Sequence, residues 1–250
     1  MAKNPDNDEI LTLTEIAGYL KVSEKTILRM VQSGQFPGVK VSNQWRFVRA
    51  IVDDWLSSRM HSAPTASLLD VVGTGLQVVP LTRLVSNKRI ILNLKPGRME
   101  DILAQLVEPL DKDGSLRDAQ DYVRRLVVRE EVVSTAIGHG VAMPHVREPE
   151  ETAVTTPCIV LGICRQGTDF GSLDGDKTYL FAMPCAGSES GHLRLLARIS
   201  LLFRRPGVID AMSGARTKKA IMEILAEADQ DVASREIAQN RSSAAAEKSE

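Results

Sequence analysis

The run His61-Ser62-Ala63-Pro64-Thr65-Ala66-Ser67 is built from small and polar side chains, and helical apolar spacing stops before it and resumes after it. A stretch of that kind reads as a linker. It cannot contribute to a core, so the chain must fold as two units that each bury their own apolar face. The expected layout is residues 1–60 as a small first domain and 61–80 as the linker, then 81–229 as a larger second domain and 230–250 as a charged, flexible tail. Within the linker, residues 68–80 mix aliphatic side chains with Gly73 and Gly75 and read equally as a linker helix or a docking strand.

With 43% hydrophobic and 25% charged residues and a net charge of −1, the composition is that of an ordinary globular protein and excludes a collagenous or wholly disordered chain. Apolar runs such as Cys158-Ile159-Val160-Leu161 fall far short of the ~20 residues that cross a bilayer, so no membrane span is expected. The N-terminus is polar and acidic and lacks the apolar stretch of a secretory signal. Cys158, Cys164 and Cys185 are odd in number and show no CxxC spacing, which argues against a disulfide framework or a zinc site. We therefore expect reduced, buried thiols in a cytoplasmic protein, with no metal and no cofactor.

In the first domain, Thr12-Leu13-Thr14-Glu15 is a capping box that opens a helix carrying Ile16, Ala17 and Leu20. Ser23 can cap a second helix, after the short turn Lys21-Val22, with Ile27, Met30 and Val31 as its apolar stripe. Val39, Val41, Trp45 and Phe47 mark two short strands around Ser42-Asn43, and a third helix over 49–59 is expected to bury Ile51, Trp55 and Leu56. Between Ile10 and Ala50 the cations Lys21, Lys25, Arg29, Lys40, Arg46 and Arg49 are opposed only by Glu15 and Glu24. A basic segment on a nearly neutral chain points to a local anionic partner. Two helices across a tight turn, the second opening on Ser23, Lys25 and Thr26 and continuing to Arg29, suit a helix that meets base edges, with Lys40 and Arg46 meeting phosphates. A helical module with a solvated basic face is the alternative.

The order Leu11-Thr12-Leu13-Thr14-Glu15-Ile16-Ala17, Leu20-Lys21-Val22-Ser23, Thr26-Ile27, Gly34-Gln35-Phe36-Pro37, Trp45-Arg46-Phe47 and Trp55-Leu56 resembles the excisionase-like, MerR-related winged helix-turn-helix family. That resemblance implies DNA as partner, with Ser23, Lys25, Thr26 and Arg29 in the major groove and Lys40 and Arg46 on the hairpin wing. Trp45 and Trp55 are expected in the core.

In the second domain, helical and strand patterns alternate, which argues for α/β layers with a mixed sheet flanked by helices. Strands are expected over Arg89–Leu94, Ala153–Cys164 and Thr178–Pro184, and helices over Arg98–Leu110, Leu116–Arg129, Gly191–Phe203 and Thr217–Ala228. Four histidines are present, and His61 falls in the linker. His145 follows a glycine-punctuated loop, with Ser134 and Thr135 upstream and Arg129 before them; His139 lies in the loop itself and is given no role. Ser134, Thr135, Gly138 and Gly140 are expected to form a phosphate-stabilising loop, and the backbone N–H groups at the two glycines, a guanidinium and an imidazole suit phosphoryl capture, with the ring nitrogen attacking phosphorus. Asp174-Gly175 reads as a simple turn.

Arg129-Glu130 with Ser134-Thr135-Ala136-Ile137-Gly138-His139-Gly140-Val141-Ala142-Met143-Pro144-His145, then Phe170-Gly171-Ser172-Leu173-Asp174-Gly175, then Gly191-His192-Leu193-Arg194-Leu195-Leu196-Ala197-Arg198-Ile199-Ser200, resembles the enzyme IIA domains of the fructose/mannitol/nitrogen-regulatory class of the sugar phosphotransferase system. Val146 stands where that class often has glycine, and Met143 is a volume-conserving replacement of a common isoleucine. The resemblance implies that His145 is the phosphoacceptor of an HPr-type carrier. His192 is then the second histidine of the site and Arg129 the arginine that steadies the phosphoryl group. The chain would thus be a phosphohistidine carrier rather than a turnover enzyme, coupled to a DNA-binding domain as a bacterial regulator, with a homodimer expected for DNA reading. The alternatives are a sugar-transport phosphocarrier that passes phosphate to an enzyme IIB, or a IIA-fold interaction module.

Overall fold

A computed structural model describes residues 9–49, 51–53, 55–56, 79–147, 149, 154, 156–172 and 174–230. The linker run 61–67 and the tail beyond 230 lie outside the described residues. The chain divides into two compact units, Met1–Ser62 and Ala63–Glu250.

The first unit begins with β1 (Ile10–Leu11), α1 (Leu13–Tyr19) and α2 (Glu24–Gln32), followed by β2 (Val39–Val41) and β3 (Gln44–Val48). The capping box forms as read: the Thr12 hydroxyl accepts the Glu15 N–H at 3.3 Å, and the Glu15 carboxylate accepts the Thr12 N–H at 2.7 Å. Ser23 caps α2 by accepting the Thr26 N–H at 3.2 Å. Ser42 and Asn43 both take positive φ, 46° and 66°, as the tight turn between two right-twisted strands requires. The sheet order is β1-β3-β2. Sequence patterning missed β1, because two residues are too few to show a period.

Ile16, Ile27, Phe47 and Val52 are fully buried in this unit's core, with Val31 and Phe36 beside them. Residues 51–53 and 55–56 are helical. Here the expected inward set is corrected by one position: Val52 is buried and Ile51 is half exposed. Val52, Trp55 and Leu56 follow the i, i+3, i+4 spacing of one helical face, which Ile51 breaks. Both tryptophans pack on the core; the Trp55 indole N–H donates to the Gln35 carbonyl at 2.9 Å and its ring meets Phe36 edge-on at 4.7 Å.

The second unit contains α3 (Leu81–Leu84), β4 (Ile90–Ile91), α4 (Met99–Lys112), α5 (Ala119–Val132), β5 (Ala136–Gly138), β6 (Val141–Ala142), β7 (Cys158–Thr168), β8 (Thr178–Cys185), α6 (Glu189–Phe203) and α7 (Val208–Gly214), with a last helical stretch over 218–230. The sheet is mixed, in the order β4-β7-β8-β6-β5: β4–β7 and β6–β8 are parallel, β7–β8 and β5–β6 antiparallel. Ile102, Leu103, Leu106 and Leu110 of α4 and Leu126 of α5 are sealed against the buried β7 and β8. Cys158 and Cys164 share that core, on one face of β7 as their even spacing requires. All three cysteines are free thiols.

Several element boundaries differ from the sequence reading. The strand expected over Arg89–Leu94 is two residues long, because residues 87–89 form a 3₁₀ turn and the chain bends after Ile91. The expected glycine loop is the β5–β6 hairpin. Asp118 caps α5 by accepting the Asp121 N–H at 2.9 Å, so that helix starts later and runs on to Val132. α7 was not anticipated.

Candidate functional site

His145 follows the end of β6 and is buried. Its Nδ1 lies 2.8 Å from the Met143 carbonyl oxygen. A carbonyl only accepts, so this contact places a proton on Nδ1, and in the neutral ring the lone pair is then on Nε2. His192 sits in the first turn of α6, where its N–H donates to the Ser188 carbonyl at 2.9 Å. The two imidazoles approach to 5.1 Å between ring centroids. The His192 Nδ1 is buried and has no hydrogen-bond partner among the described residues. Arg129, in the last turn of α5, is also buried, and its guanidinium donates to the Val133 carbonyl at 2.7 Å.

Burial, reinforced by the positive charge of Arg129, pushes the His192 pKa down to about 4. The ring is therefore neutral near pH 7. In the unfolded chain a histidine takes up its proton near pH 6.5, whereas the folded ring resists until about pH 4. The unfolded state thus binds more protons across this window, and stability falls on acidification by about 3 kcal/mol from this group. Urea midpoints at pH 7 and pH 4.5 should show a smaller acid loss in His192→Gln than in the unsubstituted protein. Equal losses would contradict the burial of a neutral ring.

Ser134 and Thr135, read from the sequence as part of a phosphate-stabilising loop, are engaged by Glu130. The Ser134 hydroxyl lies 2.9 Å from Glu130 Oε1 and 2.7 Å from the Phe170 carbonyl oxygen. The Thr135 N–H donates to Oε1 at 2.6 Å and its hydroxyl to Oε2 at 2.7 Å. Gly138 and Gly140 have φ of +84° and +73° and hold the hairpin turn, with His139 between them at +53°. That turn opens β6 whereas His145 follows its close, so the glycines and the imidazole lie at opposite ends of the strand. The Gly140 carbonyl accepts the N–H groups of Tyr179 and Leu180 at 2.8 and 3.0 Å.

Asp174 does more than form a turn. Its carboxylate accepts the Ser172 hydroxyl at 2.6 Å and the backbone N–H groups of His139 and Asp176 at 3.0 and 3.1 Å. These bonds, the Ser172 hydroxyl first, hold its carboxyl below the usual carboxylate range. A Cβ on Gly138 would lie 2.8 Å from Asp174 Oδ2. The Ser-x-Asp-x-Asp spacing was the available signal for this anchor. Asp174→Ala should speed hydrogen exchange at the His139 amide, which loses its acceptor; unchanged exchange there would remove the anchoring role.

In the first unit, Lys25 and Arg29 are exposed and four residues apart on α2, on the face turned away from Ile27 and Val31. Ser23 and Thr26 are tied to each other in the cap, their hydroxyl oxygens 2.9 Å apart. Lys40 stands opposite Trp45 in the hairpin and Arg46 opposite Val39, so their side chains leave opposite faces of the wing. The Arg46 guanidinium donates to the Trp45 carbonyl at 2.9 Å and to the Gln44 side chain at 2.6 Å. Among the described residues no helix is long and apolar enough to cross a membrane.

Residues 83–228 match the family described as the phosphoenolpyruvate-dependent sugar phosphotransferase system EIIA 2, and residues 10–60 match a helix-turn-helix domain. Curated relatives include the fructose-specific EIIABC component of Bacillus subtilis, 34% identical over 60% of this chain. The match spans 23% of that relative's own length. The mannitol-specific IIA component of Staphylococcus aureus is 30% identical over 60% of this chain and 99% of its own. The nitrogen regulatory protein of Pseudomonas aeruginosa is 28% identical over 59% of this chain and 96% of its own. Among solved structures, the nitrogen regulatory protein IIA-Ntr of Neisseria meningitidis superposes with a TM-score of 0.52 at 22% identity, covering 58% of this chain and 98% of that one. IIA-mannitol of Escherichia coli, solved in complex with phosphorylated IIB-mannitol, gives 0.51 at 21% identity over 57% and 97%. The fold, the residues matched and these relatives together make the chain a member of the EIIA 2 family of the sugar phosphotransferase system, with a helix-turn-helix domain at its N-terminal end.

Proposed function

We propose that this protein is a regulator in which His145 accepts a phosphoryl group from an HPr-type phosphocarrier while the helix-turn-helix domain binds DNA. The observation that carries the reading is the Nδ1 contact of His145 to the Met143 carbonyl, which leaves the Nε2 lone pair as the nucleophile beside His192. In the transfer, Nε2 attacks phosphorus and forms the new N–P bond. The N–P bond of the donor phosphohistidine breaks, and its electron pair stays on the donor ring. Nε2 carries no proton in this tautomer, so no general base is needed. The guanidinium of Arg129 opposes the added charge, and the buried neutral His192 offers a nitrogen to the phosphoryl group or the reactive ring.

The nitrogen-regulatory relative and the helix-turn-helix domain support a regulatory role. Identity to a mannitol-specific IIA component favours a second reading, a carrier that passes phosphate to an enzyme IIB. The test is incubation of the full chain with enzyme I, phosphoenolpyruvate and an HPr-type carrier, followed by intact mass. Gain of one phosphoryl group supports the reading, and no gain overturns it. Adding an enzyme IIB then separates the two roles: a regulator keeps its phosphate, whereas a transport carrier loses it.

Within the same site, His192→Ala should slow phosphoryl uptake by about 10- to 100-fold while the circular dichroism spectrum stays unchanged. An unchanged rate would make His192 structural.

A further inference from the structure

We propose that Glu130 is the positioning residue of the phosphoacceptor, holding His145 in its Nδ1–H form through a relay of backbone groups. This rests on the reading of His145 as the acceptor. Glu130 is buried at the end of α5, and its two oxygens collect the Ser134 hydroxyl, the Thr135 N–H and the Thr135 hydroxyl at 2.9, 2.6 and 2.7 Å. The bonds to one residue's backbone and side chain together pin Thr135 in both position and orientation. The Thr135 carbonyl in turn accepts the Met143 N–H at 3.1 Å. The Met143 carbonyl then accepts His145 Nδ1 at 2.8 Å. The peptide groups of Thr135 and Met143 thus carry the orientation of one carboxylate to the reactive ring.

The chemistry of the contacts explains why an acceptor-rich side chain stands there. Each of the three groups can donate, and Thr135 N–H can only donate. Burial pushes the Glu130 carboxyl pKa up, while the Thr135 and Ser134 donors and the adjacent Arg129 oppose that shift. A truncated side chain would leave the Thr135 N–H buried without its acceptor, free to pull the strand out of register with Met143. An amide can replace the carboxylate: its oxygen keeps the Oε1 contacts, and its NH₂ group donates to the Thr135 hydroxyl, which turns to accept. The charge is thus dispensable for positioning and the geometry is not.

The test uses the full chain, ¹⁵N-labelled at histidine, and reads the His145 ring nitrogens by NMR before phosphate is added. The unsubstituted protein should show Nδ1–H. Glu130→Ala should mix the two tautomers and slow phosphoryl uptake at least 10-fold, and Glu130→Gln should keep the tautomer and stay within about threefold of the original rate. Should Glu130→Ala fail to fold, Thr135→Val, which keeps the backbone contacts and loses the hydroxyl, should still shift part of the ring population. A His145 ring that stays Nδ1–H in every folded truncation overturns the proposal, as does a Glu130→Gln variant as impaired as Glu130→Ala. If the unsubstituted chain takes up no phosphate, the acceptor reading fails, and the tautomer measurement still decides whether Glu130 positions the ring.

Discussion

His145→Ala should abolish phosphoryl uptake while leaving the second domain folded. The substitution deletes the nucleophile, and no neighbour replaces it. His192 presents a buried ring 5.1 Å away that is stabilised neutral, but it is held on a different element, at the start of α6. The donor phosphohistidine would have to move across the site to reach it. Truncating a buried imidazole removes its contact to the Met143 carbonyl, at a stability loss of about 1–3 kcal/mol. Intact mass after incubation with the charged carrier reads the first effect, and a urea titration reads the second. A variant that gains phosphate to the original level would place the acceptor elsewhere. Full uptake by a His145→Ala, His192→Ala double variant would remove histidine chemistry from this site altogether.

The second large effect is expected in DNA binding by the full chain. Each phosphate neutralised by a lysine or arginine releases condensed counterion, so log affinity falls with log salt at about −0.9 per contact. Lys25 and Arg29 share one exposed face of α2, and the register sends Lys40 and Arg46 out of opposite faces of the wing. One wing cation with the two on α2 gives about three contacts and a slope near −2.7, a loss of roughly 40-fold between about 50 and 200 mM salt. Replacing both Lys25 and Arg29 with alanine should flatten the slope by about two and weaken low-salt binding by at least 10-fold. Arg46→Ala should weaken binding to all sequences alike and lower the slope by about one, whereas Thr26→Ala should disturb the helix cap as well. A salt-independent affinity, or none at low salt, would remove DNA from the reading. Comparing phosphorylated and unphosphorylated protein at one salt concentration then tests whether the phosphoryl charge at His145 gates that binding.

Much of the fold was legible because its signals are local. The Thr12–Glu15 capping box, the Ser23 cap and the Ser42-Asn43 turn each lie within a few residues, so both partners of each are visible in one short stretch. The apolar spacing of α4 and the even spacing of Cys158 and Cys164 likewise report which face is buried. Short elements were hard to bound for the same reason. β1 escaped and β4 is shorter than the strand expected over Arg89–Leu94, because two-residue strands exist only through their partners β3 and β7. Val52 replaced Ile51 as the buried residue because the phase of a helix is settled by what it packs on.

The chemical inventory is already present in the order of residues: an arginine before a Ser-Thr pair, a histidine after a proline, a second histidine far downstream, and a basic segment ahead of them. It also showed the Thr12 and Ser23 caps and the Ser42-Asn43 turn, since capping groups and positive-φ positions act over three or four residues. What those groups face is set by how distant segments pack. The meeting of His145 with His192 depends on β6 and β8 lying parallel, so that one histidine leaves the end of β6 and the other rides the helix that follows β8. The assignment of the Ser134 and Thr135 donors to Glu130 depends on how the end of α5 turns into β5. The resistance of the His192 ring to protonation down to about pH 4 depends on burial beside Arg129, a desolvation that no residue carries until the chain has closed around it.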